Sequence, residues 1–149
     1  MINQPLKKEG FTLIEILVVL AIIGILTAII ISGVAHYINR SKDSNIMSNL
    51  GVLILAGEVY YNNNNNSYEG FCKSSVVNNV RRQLPVNPAA SCYDEQSNKS
   101  GLCCREANNQ WAACVRKFVN PRMAYCVDSR GIRKEIDSSE CSDNIIQCP

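Results

Sequence analysis

The chain has 149 residues, of which 46% are hydrophobic and 19% are charged, and its formal net charge is +2. These residues are unevenly spread, since positions 11 to 35 carry one charge among 25 residues and all eight cysteines lie between Cys72 and Cys148. An apolar run beside a cysteine-dense remainder excludes a soluble cytosolic globule and a wholly disordered chain, and the net charge is too small to indicate a partner.

A long apolar segment begins at Phe11 and could cross the hydrocarbon core of a bilayer as a helix. Lys7 and Lys8 precede this segment, which favours a cytoplasmic amino end. Residues 32–35, Ser-Gly-Val-Ala, form a weak signal-peptidase site. A cleaved signal peptide and a plain signal anchor are therefore two alternatives for this segment.

Glu15 is the one charge within the apolar segment. Insertion scales assign roughly 3 kcal/mol to an acid at mid-helix, and less near the interface, so this carboxylate requires a reason. Cleavage between Gly10 and Phe11 would create an α-amino group four residues from it. That amine is a candidate partner for the Glu15 carboxylate.

Residues 6–31 carry a recognisable combination: Lys8-Glu9-Gly10, then Phe11-Thr-Leu-Ile-Glu15, then an unbroken apolar stretch. This combination resembles the class III signal of type IV pilins and the related pseudopilins. The resemblance implies that a prepilin peptidase removes leader 1–10 by cutting after Gly10, and that Phe11 becomes N-methylated. It also implies that Glu15 accepts the amine of Phe11 in its own or a neighbouring subunit. Ser32-Gly33 stands where many major pilins have a proline, so a proline kink is not implied.

The resemblance further implies a location and partners. The precursor would lie in the inner membrane, contact an assembly platform there, and then join an extracellular filament built of itself and other pilin-like subunits. Residues 11–35 would be the transmembrane and polymerisation helix, and residues 36–63 the amphipathic half of the same helix. No cofactor is implied.

An amphipathic pattern follows the apolar segment. Apolar or small residues recur at helical spacing: Ile46, Leu50, Leu53, Gly57 and Tyr61. Charged or polar residues earlier in the segment are expected on exposed turns: Arg40, Lys42, Asp43 and Asn45. One helix of about 50 residues is predicted, with a separate amphipathic helix after a break at Ser32-Gly33 as the alternative. The asparagine run 62–66 is expected to end it.

Residues 64–110 are interpreted as an irregular connection pinned by disulfides, with one short helix near residues 74–83. Residues 111–149 are predicted to form an antiparallel sheet and a C-terminal tail. The expected strands are 111–119, 122–128 and 132–136, with turns at Asn120-Pro121 and at residues 128–131. The fold class predicted is therefore α+β, with a long N-terminal helix packed on a small sheet of about three to four strands, as in a pilin head.

The cysteines are typical of an oxidised, extracytoplasmic domain. No Cys-x-x-Cys pair is present, which argues against zinc or iron–sulfur binding and against a redox role for adjacent Cys103 and Cys104. All eight are disulfide candidates: Cys72, Cys92, Cys103, Cys104, Cys114, Cys126, Cys141 and Cys148. Their pairing stays open, with Cys141 and Cys148 joined either to the sheet or to each other.

No motif of an enzyme is present, and the single histidine, His36, is interpreted as an interfacial helix residue. Six basic residues in the predicted strands could contact DNA phosphates, with Trp111 or Tyr125 stacking on bases: Arg116, Lys117, Arg122, Arg130, Arg133 and Lys134. The alternative is a solvated surface balanced by the acidic tail, with the aromatics in the core.

The sequence thus predicts a structural subunit of a type IV pilus-like filament. A pseudopilin of a type II secretion or competence DNA-uptake system is the alternative within the family. A monomeric, membrane-anchored, disulfide-rich binding module is the alternative of another class.

Overall fold

Residues 11–149 are described by the computed structural model, so the leader 1–10 and Gly10 lie outside the described residues. Helix α1 spans Leu13–Asn63. This confirms one helix rather than two separated at Ser32-Gly33. Beyond it, Asn65 and Asn66 adopt positive φ angles of 52° and 57°, a conformation that asparagine tolerates better than most residues. The asparagine run therefore ends the helix, as expected.

The chain divides into two units, one ending at Tyr37 and the other spanning Ile38–Pro149. In the second unit, the α1 side chains of Ile46, Leu50 and Leu53 are fully buried, which confirms the predicted apolar face of the helix. They belong to a core that also includes Phe71 and Trp111. This core positions the rest of the unit against α1.

Asp43 is buried, with only 5% of its surface exposed, so its expected place on an exposed turn is wrong. Its carboxylate accepts the backbone N–H of Phe118 at 2.7 Å and that of Val119 at 3.3 Å. These two N–H groups follow a strand, where no neighbouring strand accepts from them. Backbone N–H groups without a strand partner require another acceptor, so the loop rather than the helix pattern accounts for the burial of Asp43.

The connection after α1 contains two short helices. A single-turn 3₁₀ helix spans Phe71–Lys73, and helix α2 spans Ser75–Gln83, where the sequence predicted a short helix. The hydroxyl of Ser74 accepts the N–H of Val77 and so caps α2. Val77 and Val80, one turn apart, are its buried residues. The apolar face of this short helix therefore packs in the core.

A four-stranded antiparallel sheet follows, with the strands in chain order: β1 Cys103–Ala107, β2 Gln110–Arg116, β3 Met123–Asp128 and β4 Arg133–Asp137. The predicted α+β class is confirmed. Gly131 in the β3–β4 turn has a φ of 77°, which a glycine adopts without strain. Strand β1 was not predicted, because its sequence Cys-Cys-Arg-Glu-Ala has no β-branched or aromatic residue. It forms by pairing with β2, from Cys103 opposite Cys114 to Ala107 opposite Gln110.

The two faces of the sheet bury different residues. One face, with Trp111, Ala113 and Val115 of β2, joins the core that contains the α1 residues. The other face carries Cys103, Cys114 and Cys126, which lie directly opposite one another on β1, β2 and β3. Because β2 is covered on both sides, five consecutive residues of it are buried.

All eight cysteines are paired, and the pairing follows the two faces. The row of Cys103, Cys114 and Cys126 binds Cys92, Cys141 and Cys148, respectively. Cys104, which points to the helix side, binds Cys72. Adjacent Cys103 and Cys104 thus serve two separate bridges, and the tail cysteines bind the sheet rather than each other. Three bridges therefore attach the 92 loop and the tail to one face of the sheet.

Asp128 joins the end of β3 to the tail. It is 1% exposed, and its carboxylate accepts the Arg130 side chain and the backbone N–H of Cys148 at 3.0 Å. Burial alone would raise the pKa of Asp128, but these hydrogen bonds hold the pKa below its ordinary value. Asp128 is therefore a charged structural residue of the turn.

Gly57 allows a close approach of α1 to Trp111 of the sheet. A Cβ added at Gly57 would lie 2.6 Å from Nε1 of the buried Trp111 ring, whereas one added at Gly51 would meet Arg133 Nη1 at 3.5 Å, an ordinary contact. We expect Gly57→Ala to lower the free energy of unfolding by about 1–3 kcal/mol through overpacking. Gly51→Ala, the matched control, is expected to leave the free energy of unfolding unchanged or to raise it by at most about 1 kcal/mol, since alanine is the better helix former.

Thermal unfolding of the oxidised full chain in detergent, followed by the fluorescence of its single tryptophan, measures both variants. Equal midpoints for Gly57→Ala and Gly51→Ala would contradict the close contact with Trp111.

Candidate processing and assembly site

Phe11 is the first described residue of the predicted processing site. Its side chain is 81% exposed, and it precedes helix α1, which begins at Leu13. Its predicted partner in the scissile bond, Gly10, lies outside the described residues. The described part of the site is therefore the helix start from Phe11 to Glu15.

Thr12 and Glu15 form a reciprocal pair at this helix start. The Glu15 carboxylate accepts the backbone N–H of Thr12 at 2.8 Å and its hydroxyl at 2.7 Å, and the Thr12 hydroxyl oxygen lies 3.4 Å from the N–H of Glu15. This is a capping box, in which two residues three apart satisfy N–H groups that an α-helix leaves unpaired. Glu15 thus has a local structural role that the sequence analysis did not assign to it.

The capping box also places the carboxylate near the residue that would become the new amino terminus. Glu15 accepts the N–H of Thr12, and the nitrogen of Phe11 is one residue away along the chain. A helix N-terminus carries a partial positive charge that favours a carboxylate there. A protonated amine on Phe11 would add a full charge at the same end.

The helix beyond Glu15 is apolar on every side. Its residues Leu13–Ile30 have a mean hydropathy of 3.0 and none is buried within the chain. The hydroxyl of Thr27 donates to the carbonyl of Ile23, which satisfies this polar group within the helix. This helix is long and apolar enough to cross a membrane, although an N-terminal signal sequence meets the same two criteria. A helix of this kind requires lipid or other helices around it.

The six basic residues predicted as nucleic-acid contacts do not form one free surface. Lys117 pairs with Glu135 at 2.6 Å, Arg130 pairs with Asp128, and Arg116 donates to the carbonyl of Ala89. On β4, Arg133 and Lys134 are consecutive and so point to opposite faces of the sheet. Arg122 is exposed in the turn before β3. Three of the six basic residues therefore already have partners within the chain.

The aromatic residues named with them are placed differently. Trp111 is fully buried in the core, so stacking of a base on Trp111 is excluded. Tyr125 is partly buried, and the Lys117 ammonium lies 4.8 Å from the centre of its ring. This arrangement fits the alternative in which the aromatics pack within the protein.

His36 and the cysteines complete the chemical groups singled out from the sequence. His36 is exposed in the first unit, where its ring lies edge-on to Tyr37. Every cysteine sulfur is in a disulfide, including those of the cluster Cys103, Cys114 and Cys141. In this oxidised state the cluster offers no thiolate to a metal ion.

Sequence reasoning missed two residues that the structure shows to be important locally. Thr12 was identifiable, since Thr-x-x-Glu before an apolar run is the pattern of a capping box. Asp43 was not identifiable, because its partners Phe118 and Val119 are about 75 residues away along the chain. Only a pattern local to the chain leaves a signal in one sequence.

Comparison with known proteins matches the N-terminal part of the chain. Residues 6–31 match the family described as the prokaryotic N-terminal methylation motif. The type IV major fimbrial protein FimA of Dichelobacter nodosus is 51% identical over 51 residues, which are 34% of this chain and 33% of that protein. The type IV major pilin protein PilA of Myxococcus xanthus (strain DK1622) is 44% identical over 55 residues, which are 37% of this chain and 25% of that protein.

The chain thus spans about a third of the length of FimA and a quarter of the length of PilA. No solved structure matches the chain. The matched residues 6–31 include Phe11, the capping pair and the exposed apolar helix Leu13–Ile30. In this N-terminal segment, the chain is similar to type IV pilins.

Proposed function

We propose that the chain is a structural, non-enzymatic subunit of a type IV pilus-like filament. A prepilin peptidase cuts after Gly10 and methylates Phe11, and the subunit assembles through its apolar N-terminal helix. The observation that carries this proposal is the helix Leu13–Ile30, which lies within the matched methylation motif and buries none of its residues within the chain. Lipid covers this helix before assembly, and the helices of neighbouring subunits cover it afterwards.

The parts of the chain then have successive roles. Residues 1–10 are removed, residues 11–35 anchor the subunit in the inner membrane and later fill the filament centre, and residues 36–63 carry the head. The connection 64–110 and the sheet and tail 111–149 form the head, which four disulfides stabilise in an oxidising compartment. The partners are other pilin-like subunits, the peptidase and the inner-membrane assembly platform.

Glu15 sets the axial register between neighbouring subunits during assembly. Its carboxylate pairs with the amine of Phe11 of a neighbouring subunit, and two unit charges about 4 Å apart attract by up to about 4 kcal/mol at an effective dielectric near 20. The capping box holds this carboxylate at the helix start, where the amine is created. The pair offsets the burial of the charge and selects one axial position between subunits.

A pseudopilin of a type II secretion or competence system is the second candidate, because the same N-terminal motif serves both groups. DNA binding by the basic strands has less support, since Arg116, Lys117 and Arg130 already have partners within the chain. A monomeric membrane-anchored module would leave the helix Leu13–Ile30 in lipid throughout.

Electron microscopy of sheared surface material tests the proposal. We expect filaments in which this subunit is found by mass spectrometry, with a mature chain that begins at N-methylated Phe11. A mature chain of correct N-terminus that stays in the membrane and supports protein secretion would identify a pseudopilin. A chain that begins elsewhere than Phe11 would exclude both.

A further inference from the structure

A polar cleft lies between the C-terminal half of α2 and the loop that precedes β1. Its volume is about 460 Å³, within the range of roughly 300–1,000 Å³ that is usual for small-molecule sites. Arg81 and Arg82 of α2 and Lys99 of the loop line it, and no carboxylate is among its lining residues. The cleft is therefore positively charged.

The three cations have no ionic partner within residues 11–149, where the two ion pairs are Lys117–Glu135 and Arg130–Asp128. Arg81 is half-buried, and its Nη1 donates to Oδ1 of Asn78 at 2.7 Å. Its Nε is buried without a partner among the described residues. Burial lowers the pKa of the Arg81 guanidinium, since a charge removed from water is disfavoured. An anion in the cleft would supply the missing acceptor.

The other lining groups indicate what such an anion carries. The Gln96 side chain is exposed at the cleft and makes no hydrogen bond within the described residues, and Leu84 and Val86 supply apolar surface. Amide groups beside small apolar patches suit the hydroxyls and C–H faces of a sugar ring. The lining contains no aromatic ring on which a base could stack.

Two acids, Asp94 and Glu95, are close in the chain, but neither lines the cleft, and Asp94 is already bound. The Asp94 carboxylate accepts the Ser97 hydroxyl and the backbone N–H of Gln96. These bonds lower the pKa of Asp94, so it stays charged but is directed to its own loop. The free donors of the cleft are therefore Arg82, Lys99 and Gln96, with Arg81 behind them.

We propose that this cleft binds an anionic sugar unit, one that bears a sulfate or carboxylate group. Arg82 and Lys99, both exposed, contact the acidic group, and half-buried Arg81 fixes its position. The site lies wholly within the second unit and does not depend on filament assembly.

Calorimetric titration of the oxidised full chain in neutral detergent, at low salt, tests the proposal with a heparin-type trisulfated disaccharide as the probe. We expect saturable binding at one site. The variant Arg82→Gln with Lys99→Gln should bind at least about ten-fold more weakly, because two charge-assisted contacts are lost. The matched control, Arg122→Gln with Arg133→Gln, removes the same charge elsewhere and should bind within about two-fold of the parent chain. Lys99→Glu, a single change at an exposed position, should also abolish most binding.

Several outcomes would overturn the proposal. These are the absence of saturable binding by the folded chain, equal loss in the control variant, or equal affinity for an uncharged disaccharide that has neither sulfate nor carboxylate groups. Tighter binding of an oligothymidylate, lost in the cleft variant, would replace the sugar by nucleic acid. Inorganic sulfate that displaces the disaccharide, but only at a higher concentration than that of the disaccharide, would support both the anion contact and the sugar contact. Tryptophan fluorescence confirms that each variant is folded.

Discussion

Filaments are expected to disappear, or to become sparse, when Glu15 is replaced by leucine, while removal of the leader continues. The variant loses the charge that pairs with the neighbouring amine, an interaction of up to about 4 kcal/mol per subunit at an effective dielectric near 20. Electron microscopy of sheared material measures the filaments, and the mass of the membrane-bound chain reports the processing.

The capping box requires two further variants, because Glu15→Leu removes the helix cap together with the charge. Glu15→Gln keeps an oxygen that can accept the N–H of Thr12 but carries no charge. Thr12→Val keeps the charge and removes the hydroxyl, at a cost of about 0.5–2 kcal/mol to the helix start. We expect Glu15→Gln to fail in assembly and Thr12→Val to assemble. Normal filaments from Glu15→Gln would show that Glu15 serves as a cap and not as an assembly charge.

The second large effect is expected at Gly10, where Gly10→Val should leave the precursor uncut. Valine adds a branched side chain at the carbonyl that the peptidase must attack, and it stiffens a backbone that glycine leaves free. An uncut chain has no free amine on Phe11 and should therefore be absent from filaments. Intact mass and N-terminal sequencing measure this result.

Gly24→Ala is the matched control for Gly10→Val. An added Cβ at Gly24 meets no atom within 4 Å, and the position lies 14 residues beyond the scissile bond. This variant should be cut and methylated as usual. A correctly cut and methylated Gly10→Val chain would contradict the assigned processing site.

The functional segment was predictable because its signals are local. The apolar run, the glycine before Phe11 and the acid five residues into the mature chain are all adjacent in sequence. The buried residues Ile46, Leu50 and Leu53 were predictable for the same reason, since the helical spacing of apolar residues is visible within a single stretch of sequence. The capping role of Thr12 was equally local and was overlooked.

The cysteine pairing was not predictable, since eight cysteines allow about 105 connectivities. It depends on the register of three strands, which aligns Cys103, Cys114 and Cys126 on one face of the sheet. Strand β1 likewise exists because β2 and two disulfides hold it, and not through the β-propensity of its residues.

The amino-acid sequence alone was sufficient for the α+β class, the long helix and the candidate processing and assembly residues, because composition and periodicity act over neighbouring positions. Tertiary structure was needed for the partners of Asp43, the four disulfides, the internal pairing of Arg116 and Lys117, and the cleft at Arg81. Each of these depends on groups far apart in the chain, and the free energy that brings them together comes from packing and hydrogen bonding across the folded unit.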